Sequence, residues 1–333
     1  MKITIKESLN NRKLLLILSS FTMLFFAMAA LFGDLFSAIA GAFLSIIFLL
    51  DRGKYICSLS VSLIGIVIDV LISGWIPFAS IETVFIALIL SILFSRGVEK
   101  SFLSAIITVT VSAFVVLYYV FLAMQTTGDY SFAGLKTFFE ALYEELKSNF
   151  ITAVNEMLST LPEMYNEFVE VMTDTEISLM FDSLVSGLIS VVVIYAFLIS
   201  GIAIKLFSKI IFAISVDPGK FESWRFTTSN VFCYFYIVLF FAVTFVTGND
   251  IWTIAIANLY NIFLAVYAYI GLRAEYRLLR SKLSAALTLI IVIGQFVVLS
   301  FIVLQVLSIF GVLGTISKNK MSGISNPPDD NAL

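Results

Sequence analysis

Histidine is absent from the 333 residues, and cysteine occurs only at Cys57 and Cys233, each inside an apolar run. The usual ligand sets for zinc, haem and iron–sulfur centres are therefore missing, together with every Ser-His or Cys-His pairing that makes a side chain nucleophilic. No Gly-x-x-x-x-Gly-Lys loop is present to cradle a nucleotide phosphate, so ATP-driven work would need a partner subunit. No metal, no cofactor and no enzymatic activity are expected. Charge is scarce as well, with Asp, Glu, Lys and Arg at 13% of the chain. What fills the chain instead is apolar: 60% hydrophobic residues and a mean hydropathy of +1.04. A water-soluble domain of this size would have to expose large apolar patches at such a composition, so the lipid bilayer is the expected solvent and partner.

About 17 to 25 apolar residues are needed to cross the hydrocarbon layer as a helix. Such runs lie at 14–32, 35–50, 55–76, 78–95 and 102–124, and again at 184–207, 227–247, 251–272 and 283–314. The expected fold class is all-α, a polytopic helical membrane protein with about nine transmembrane helices, eight if the last segment re-enters or lies on the surface. Four regions follow: an N-terminal membrane region over 1–124, an acidic extracytoplasmic loop over 125–183, a C-terminal membrane region over 184–314, and a polar tail over 315–333 expected to be disordered.

The net charge of −3 conceals a sharp asymmetry, because residues 125–183 hold eleven acids against Lys136 and Lys147. Lys and Arg in short junctions stay in the cytoplasm. With the amino terminus inside, the cytoplasmic junctions collect sixteen basic residues, from Lys2, Lys6, Arg12 and Lys13 through to Arg273, Arg277, Arg280 and Lys282. This predicts a bacterial plasma-membrane protein with a cytoplasmic amino terminus, and it accounts for the basic patches without nucleic acid. Ala27-Met28-Ala29 has the small-x-small form of a signal-peptide cleavage site, but a second apolar run starts at Leu35, and a signal anchor is the expected outcome.

Within the acidic loop, Leu135, Phe138, Phe139, Leu142, Leu146, Phe150, Val154, Met157, Leu158 and Leu161 recur at three- and four-residue spacing, which predicts an amphipathic helix ended by Pro162. Tyr165, Phe168, Val169 and Met172 form a shorter stripe, so a helix pair is expected. The Glu-rich polar face would be repelled by anionic head groups, and the pair is expected to pack on the protein's own mouth or on a partner.

Ionisable side chains inside a bilayer cost roughly 2.5 to 3.5 kcal/mol on insertion scales, so each one calls for a reason. Asp69 lies about 10 Å below the outer surface in the third apolar run and Glu82 about 7 Å below it in the fourth, at 1.5 Å per residue. The tight turn Ser73-Gly74-Trp75-Ile76-Pro77 makes these runs antiparallel neighbours, so both carboxylates could line one outward-facing pocket with Trp75 at its rim, suited to a cationic or hydrogen-bonding solute. The structural reading beside it has Glu82 hydrated at the interface and Asp69 bonded to Ser or Thr hydroxyls of adjacent helices. Asn258 and Asn261 share a helix face at a similar depth and are either further solute ligands or helix-joining amides. Ser37, Ala38, Gly41 and Ala42 form small-x-x-x-small pairs that admit a close helix neighbour. Trp224 and Arg225 are either interface anchors or a partner-docking pair.

Phe221-x-x-Trp224-Arg225, Asn258 and Asn261 leading to Gly271, and the terminal Phe310-Gly311-Val312-Leu313 run carry a resemblance over the whole chain. In these residues the sequence resembles the YybS-like family of bacterial membrane proteins of unknown function, itself distantly similar to the substrate-binding S components of energy-coupling-factor vitamin transporters. Members close with an acidic and an aromatic residue after the last glycine, where this chain has Gly314-Thr315-Ile316, and the S-component alanine motif is only approximated by Ala27, Ala29 and Ala30. The resemblance implies a six-helix S-like unit extended by three helices, with a solute pocket opening outward. Two functions are carried forward: a solute-recognition protein of transport type, working with transporter partner subunits, and a non-transporting envelope scaffold whose acidic loop recruits partner proteins. An intramembrane enzyme would have only Asp69 with Glu82 as a dyad, and no protease motif surrounds them.

Overall fold

The computed structural model describes residues 11–51, 55–74, 76–160, 173–215, 230–245 and 251–324. Among these residues the regular structure is helical: α1 Asn11–Phe32, α2 Asp34–Leu50, α3 Ile56–Ser73, α4 Phe78–Ser95, α5 Lys100–Thr127, α6 Phe132–Ser159, α7 Asp174–Ser186, α8 Leu188–Ile214, α9 Asn230–Phe245, α10 Ile251–Arg280 and α11 Ala285–Ile324. Helices are what apolar runs in lipid must form, because no water is available there to satisfy an open backbone. Six of them, α1, α3, α4, α5, α8 and α10, are long and apolar enough to cross a membrane. The others that coincide with apolar runs are shorter in their apolar part: α2 over Asp34–Leu50, α9 over Asn230–Phe245, and α11 in its stretches Ala285–Gln295 and Ile302–Ser317. Helix α11 continues to Ile324, into the segment expected to be a disordered tail. Extending a helix that is already nucleated fixes one residue per added hydrogen bond, so even a polar continuation forms at little cost.

The buried side chains fall into two groups. The larger draws Phe26, Ala42, Ile46, Ile86, Leu90, Leu103, Ile107, Ala203 and Phe207 from α1 to α5 and α8. The small residues of α2 make this group tight. Ser37, Ala38, Gly41 and Ala42 are all buried, a Cβ on Gly41 would stand 2.8 Å from Ile86 Cγ2, and Ser37 Oγ donates to the Ala79 carbonyl at 3.2 Å. Between α5 and α8, Ser200 meets Ser104 at 3.0 Å and accepts from Thr108 at 3.1 Å.

The second group is built from α9, α10 and α11, with Cys233, Tyr236, Tyr260, Leu264, Tyr267 and Val312 at its centre and Ala268, Val303 and Leu307 beside it. Tyr236 and Tyr260 stack at 5.8 Å, and the Tyr236 hydroxyl meets Ser308 Oγ at 2.8 Å. A buried tyrosine needs such a partner for its polar end.

Outside the apolar bundle, α6 is capped by Ser131, whose Oγ accepts from the Gly134 amide at 3.1 Å, and it ends at Ser159, ahead of Pro162. The stripe Tyr165 to Met172 lies outside the described residues. The helix facing α6 is α7, which opens with a capping box between Thr173 and Glu176. Phe181 of α7 sits 5.5 Å from both Tyr143 and Phe150. Beside this aromatic contact, Asp182 accepts from the Tyr143 hydroxyl and pairs with Lys147 Nζ at 3.1 Å. These two bonds hold the Asp182 carboxyl below the usual carboxylate range, and the bonds to Asp182 and Tyr143 raise the Lys147 ammonium. A depressed carboxyl contributes stability above its unfolded value and loses it as pH falls through the folded value; a raised ammonium contributes below its unfolded value and loses it as pH rises through the folded one. The clasp is therefore expected to hold from about pH 4 to about pH 10 and to loosen outside that window. Hydrogen exchange of α7 amides should accelerate below about pH 4 relative to the intrinsic rate in wild type, and Asp182→Asn should show the faster exchange already between about pH 4 and about pH 10.

Candidate functional site

The α1–α2 hairpin turns on one residue. Gly33 has φ of +82°, in the left-handed region that favours glycine, and its amide donates to the Ala29 carbonyl at 2.8 Å. The turn sets Asp34 at the first position of α2, where the amino-terminal helix dipole favours a carboxylate. Gly74, with φ of +71°, closes α3 in the same way, four residues after Val70. The end of α1, start of α2, end of α3, start of α4, end of α5 and start of α8 thus share one end of the larger helix group.

A cavity of about 530 Å³ opens there. Asp34, Asp69 and Glu82 line it with Ser73, Tyr118, Tyr119 and Tyr195, over an apolar wall that includes Ala79 and Phe114. The structure therefore brings Asp69 and Glu82 together and adds Asp34, which the sequence reading passed over. The Asp34 carboxylate has Tyr195 and Glu82 as its side-chain neighbours. Phe78 and Tyr118 meet edge to face at 5.9 Å, and Tyr118 and Tyr119 at 5.5 Å.

Asp69 is buried, and its Oδ2 accepts from the Ser80 amide at 2.8 Å. Ser80 is the third residue of α4, whose N-cap position is Pro77 and supplies no side-chain acceptor. A carboxylate on α3 thus satisfies an orphan amide at the start of α4, a cap delivered from a neighbouring helix. The Ser80 and Ser73 hydroxyls are close to the Asp69 carboxyl as well, and Ser80 Oγ also donates to the Gly65 carbonyl, at 3.0 Å. Asp69→Ala is expected to cost about 1 to 2 kcal/mol, whereas Asp69→Asn, which keeps an acceptor oxygen, should cost less than half of that; thermal unfolding in mild detergent measures both.

Glu82 is 2% exposed and its Oε1 has no hydrogen-bond partner among the described residues.

Asn258 does not line the cavity. Its Oδ1 accepts from the Ser190 amide at 2.8 Å and its Nδ2 donates to the Ser186 carbonyl at 2.7 Å, bridging the break between α7 and α8. Asn261 is half-buried on α10, also away from the cavity lining. Trp75, Trp224 and Arg225 lie outside the described residues. A second cavity, of about 760 Å³, runs between α5, α8, α9 and α10. Its wall is mostly aliphatic and aromatic, its hydroxyls at Ser104 and Thr108 are bonded to Ser200, and Glu99 and Ser101 are also in its lining.

Apolar helices with buried carboxylates turned inward define a polytopic helical membrane protein. The chain belongs to the DUF2232 family of predicted membrane proteins, whose family model matches residues 14–314. No curated protein and no solved structure matches it.

Proposed function

We propose that this protein is a non-enzymatic solute-recognition component of transport type in the bacterial plasma membrane. The observation that carries this reading is the cavity with its three carboxylates, embedded in an otherwise apolar bundle. Inserting such a group costs up to roughly 2.5 to 3.5 kcal/mol at a helix centre; Asp69 offsets its cost by capping α4, whereas Glu82 leaves Oε1 without a partner among the described residues. The volume of the cavity is that of a small-molecule site. Within the described residues, Arg12, Lys13, Arg96, Lys100 and Lys209 sit toward the opposite ends of the same helices, and because short basic junctions favour the cytoplasm this supports a cytoplasmic amino terminus and a cavity turned outward beneath the acidic loop. The resemblance to S components supports the same arrangement, and the division of the buried side chains into a six-helix and a three-helix group agrees with it. Transport would then need partner subunits to supply energy.

Thermal shift in detergent against a panel of vitamins, nucleosides, amines and carboxylates tests this. A bound solute at a hundred times its Kd stabilises by about 2.7 kcal/mol, and Ala79→Phe, which fills the cavity, should abolish the shift. A panel in which no member stabilises wild type overturns the reading.

A second reading, an envelope scaffold, is favoured by one observation: α6 leaves Phe132, Phe139, Leu146 and Met157 exposed. If deleting 131–173 removes co-purifying envelope proteins while solute binding persists, α6 is a partner platform. Loss of solute binding instead makes the loop part of the site.

A further inference from the structure

Glu82 and Asp69 line the same cavity and are equally buried, yet their situations differ. Asp69 has the Ser80 amide. Glu82 presents Oε1 without a partner among the described residues, while its carboxyl also interacts with the Asp34 carboxyl and the Ser37 hydroxyl. In its ionised form a carboxylate oxygen accepts and cannot donate, so a ligand that satisfies it must bring a proton donor. Among the described residues three acids and no Lys or Arg line the cavity, and a cation bound there would let a buried carboxylate stay ionised beside another one.

The donor is not a bare metal ion by this geometry. Among the described residues no three acidic side chains converge as ligands, and the cavity is far larger than an ion. Tyr118, Tyr119 and Tyr195 line the same cavity, and aromatic ring faces attract organic cations while their edges and hydroxyls tolerate a polar body. Acids and aromatic rings in one cavity suit a cation with an N–H at one end and carbon around it. Resting on the solute-recognition reading, we propose that the cavity binds a protonated organic amine, its N–H groups on Glu82 and Asp34 and its carbon skeleton against the three tyrosines.

Binding to the full-length protein in detergent, by calorimetry and thermal shift, uses benzylammonium, phenethylammonium and putrescine, each beside its neutral alcohol counterpart. A charge-assisted bond to a buried carboxylate gives the amines about tenfold or greater preference over the alcohols. Glu82→Gln, which keeps the shape, should remove that preference, with its unliganded melting temperature reporting that it folds; Asp34→Asn should weaken amine binding in the same direction and serves if Glu82→Gln does not fold. Alcohols binding as tightly as amines, or an unchanged amine affinity in both variants, overturns the proposal. A neutral or anionic solute that binds wild type but not Ala79→Phe overturns the amine assignment and leaves solute recognition standing. Binding by no solute of any class overturns both.

Discussion

Gly311→Val is expected to lower stability by about 3 kcal/mol or more, the upper range for forcing volume into a packed contact. Helices α10 and α11 cross with Gly271 and Gly311 against each other. A Cβ on Gly311 would run into the carbonyl of Tyr267, and one on Gly271 into the carbonyl of Leu307. Both obstacles are helix backbone, so relief requires the whole helices to separate, which would also pull Tyr236 from Ser308 and Val312 from its contacts with the tyrosines. In lipid the separation is not resisted by a hydrophobic driving force, because acyl chains are as apolar as the helix surface; close packing is what holds the pair. Gly314, on the same helix, has nothing within 4 Å of its would-be Cβ, and neither has Gly201 on α8. Gly314→Val and Gly201→Val should therefore stay within about 0.5 kcal/mol of wild type. Thermal denaturation of the four proteins in one detergent makes the comparison, and similar melting temperatures for Gly311→Val and Gly314→Val would show that this crossing is not the seam of the C-terminal group.

What the sequence made legible here was what one helix dictates to itself. Apolar runs appear as helices because lipid leaves the backbone no alternative, and the three- and four-residue stripe over 135–158 appears as α6 with Leu135, Phe138, Leu142 and Phe150 partly buried and Leu158 buried. Phe139, Leu146 and Met157, from the same stripe, stay exposed, since periodicity gives a face and not the width that a neighbour covers. Shared depth and a short turn were enough to join Asp69 to Glu82. They were not enough for Asp34, because an acid next to a glycine in a hairpin looks like an ordinary interfacial residue, and only the packing of α2 on α4 and α8 turns it toward Glu82. Tyr118, Tyr119 and Tyr195 look in sequence like interfacial aromatics for the same reason. Counting crossings would have put all of them at one end of the bundle, the one signal available. The break at Gly187 inside the sixth apolar run was not legible at all: the run is continuous in hydropathy, and the residue that stabilises the interruption is 68 positions away at its Ser190 bond.

That residue carries the second large prediction. Asn258→Ala is expected to destabilise the protein by about 2 kcal/mol, above the roughly 0.6 kcal/mol average of polar contacts between membrane helices. The average is low because a side chain freed within the membrane finds another partner. Here the groups left behind are backbone: the Ser190 amide at the third position of α8 and the Ser186 carbonyl at the last residue of α7. Orphan groups at a helix interruption have no second partner in lipid, and their desolvation costs remain. Asn258→Asp retains the acceptor for Ser190 and loses the donor for Ser186, so it should fall between wild type and alanine. Asn261→Ala, on the same helix, should shift stability by no more than about 0.5 kcal/mol. Because Asn258 ties α10 to α8, the alanine variant should also loosen the three-helix group from the six-helix group, seen as faster hydrogen exchange in α10 with the cavity helices α2 and α4 unchanged. Equal melting temperatures for Asn258→Ala and Asn261→Ala would mean that the break is satisfied without the amide, and that joining the two groups does not depend on it.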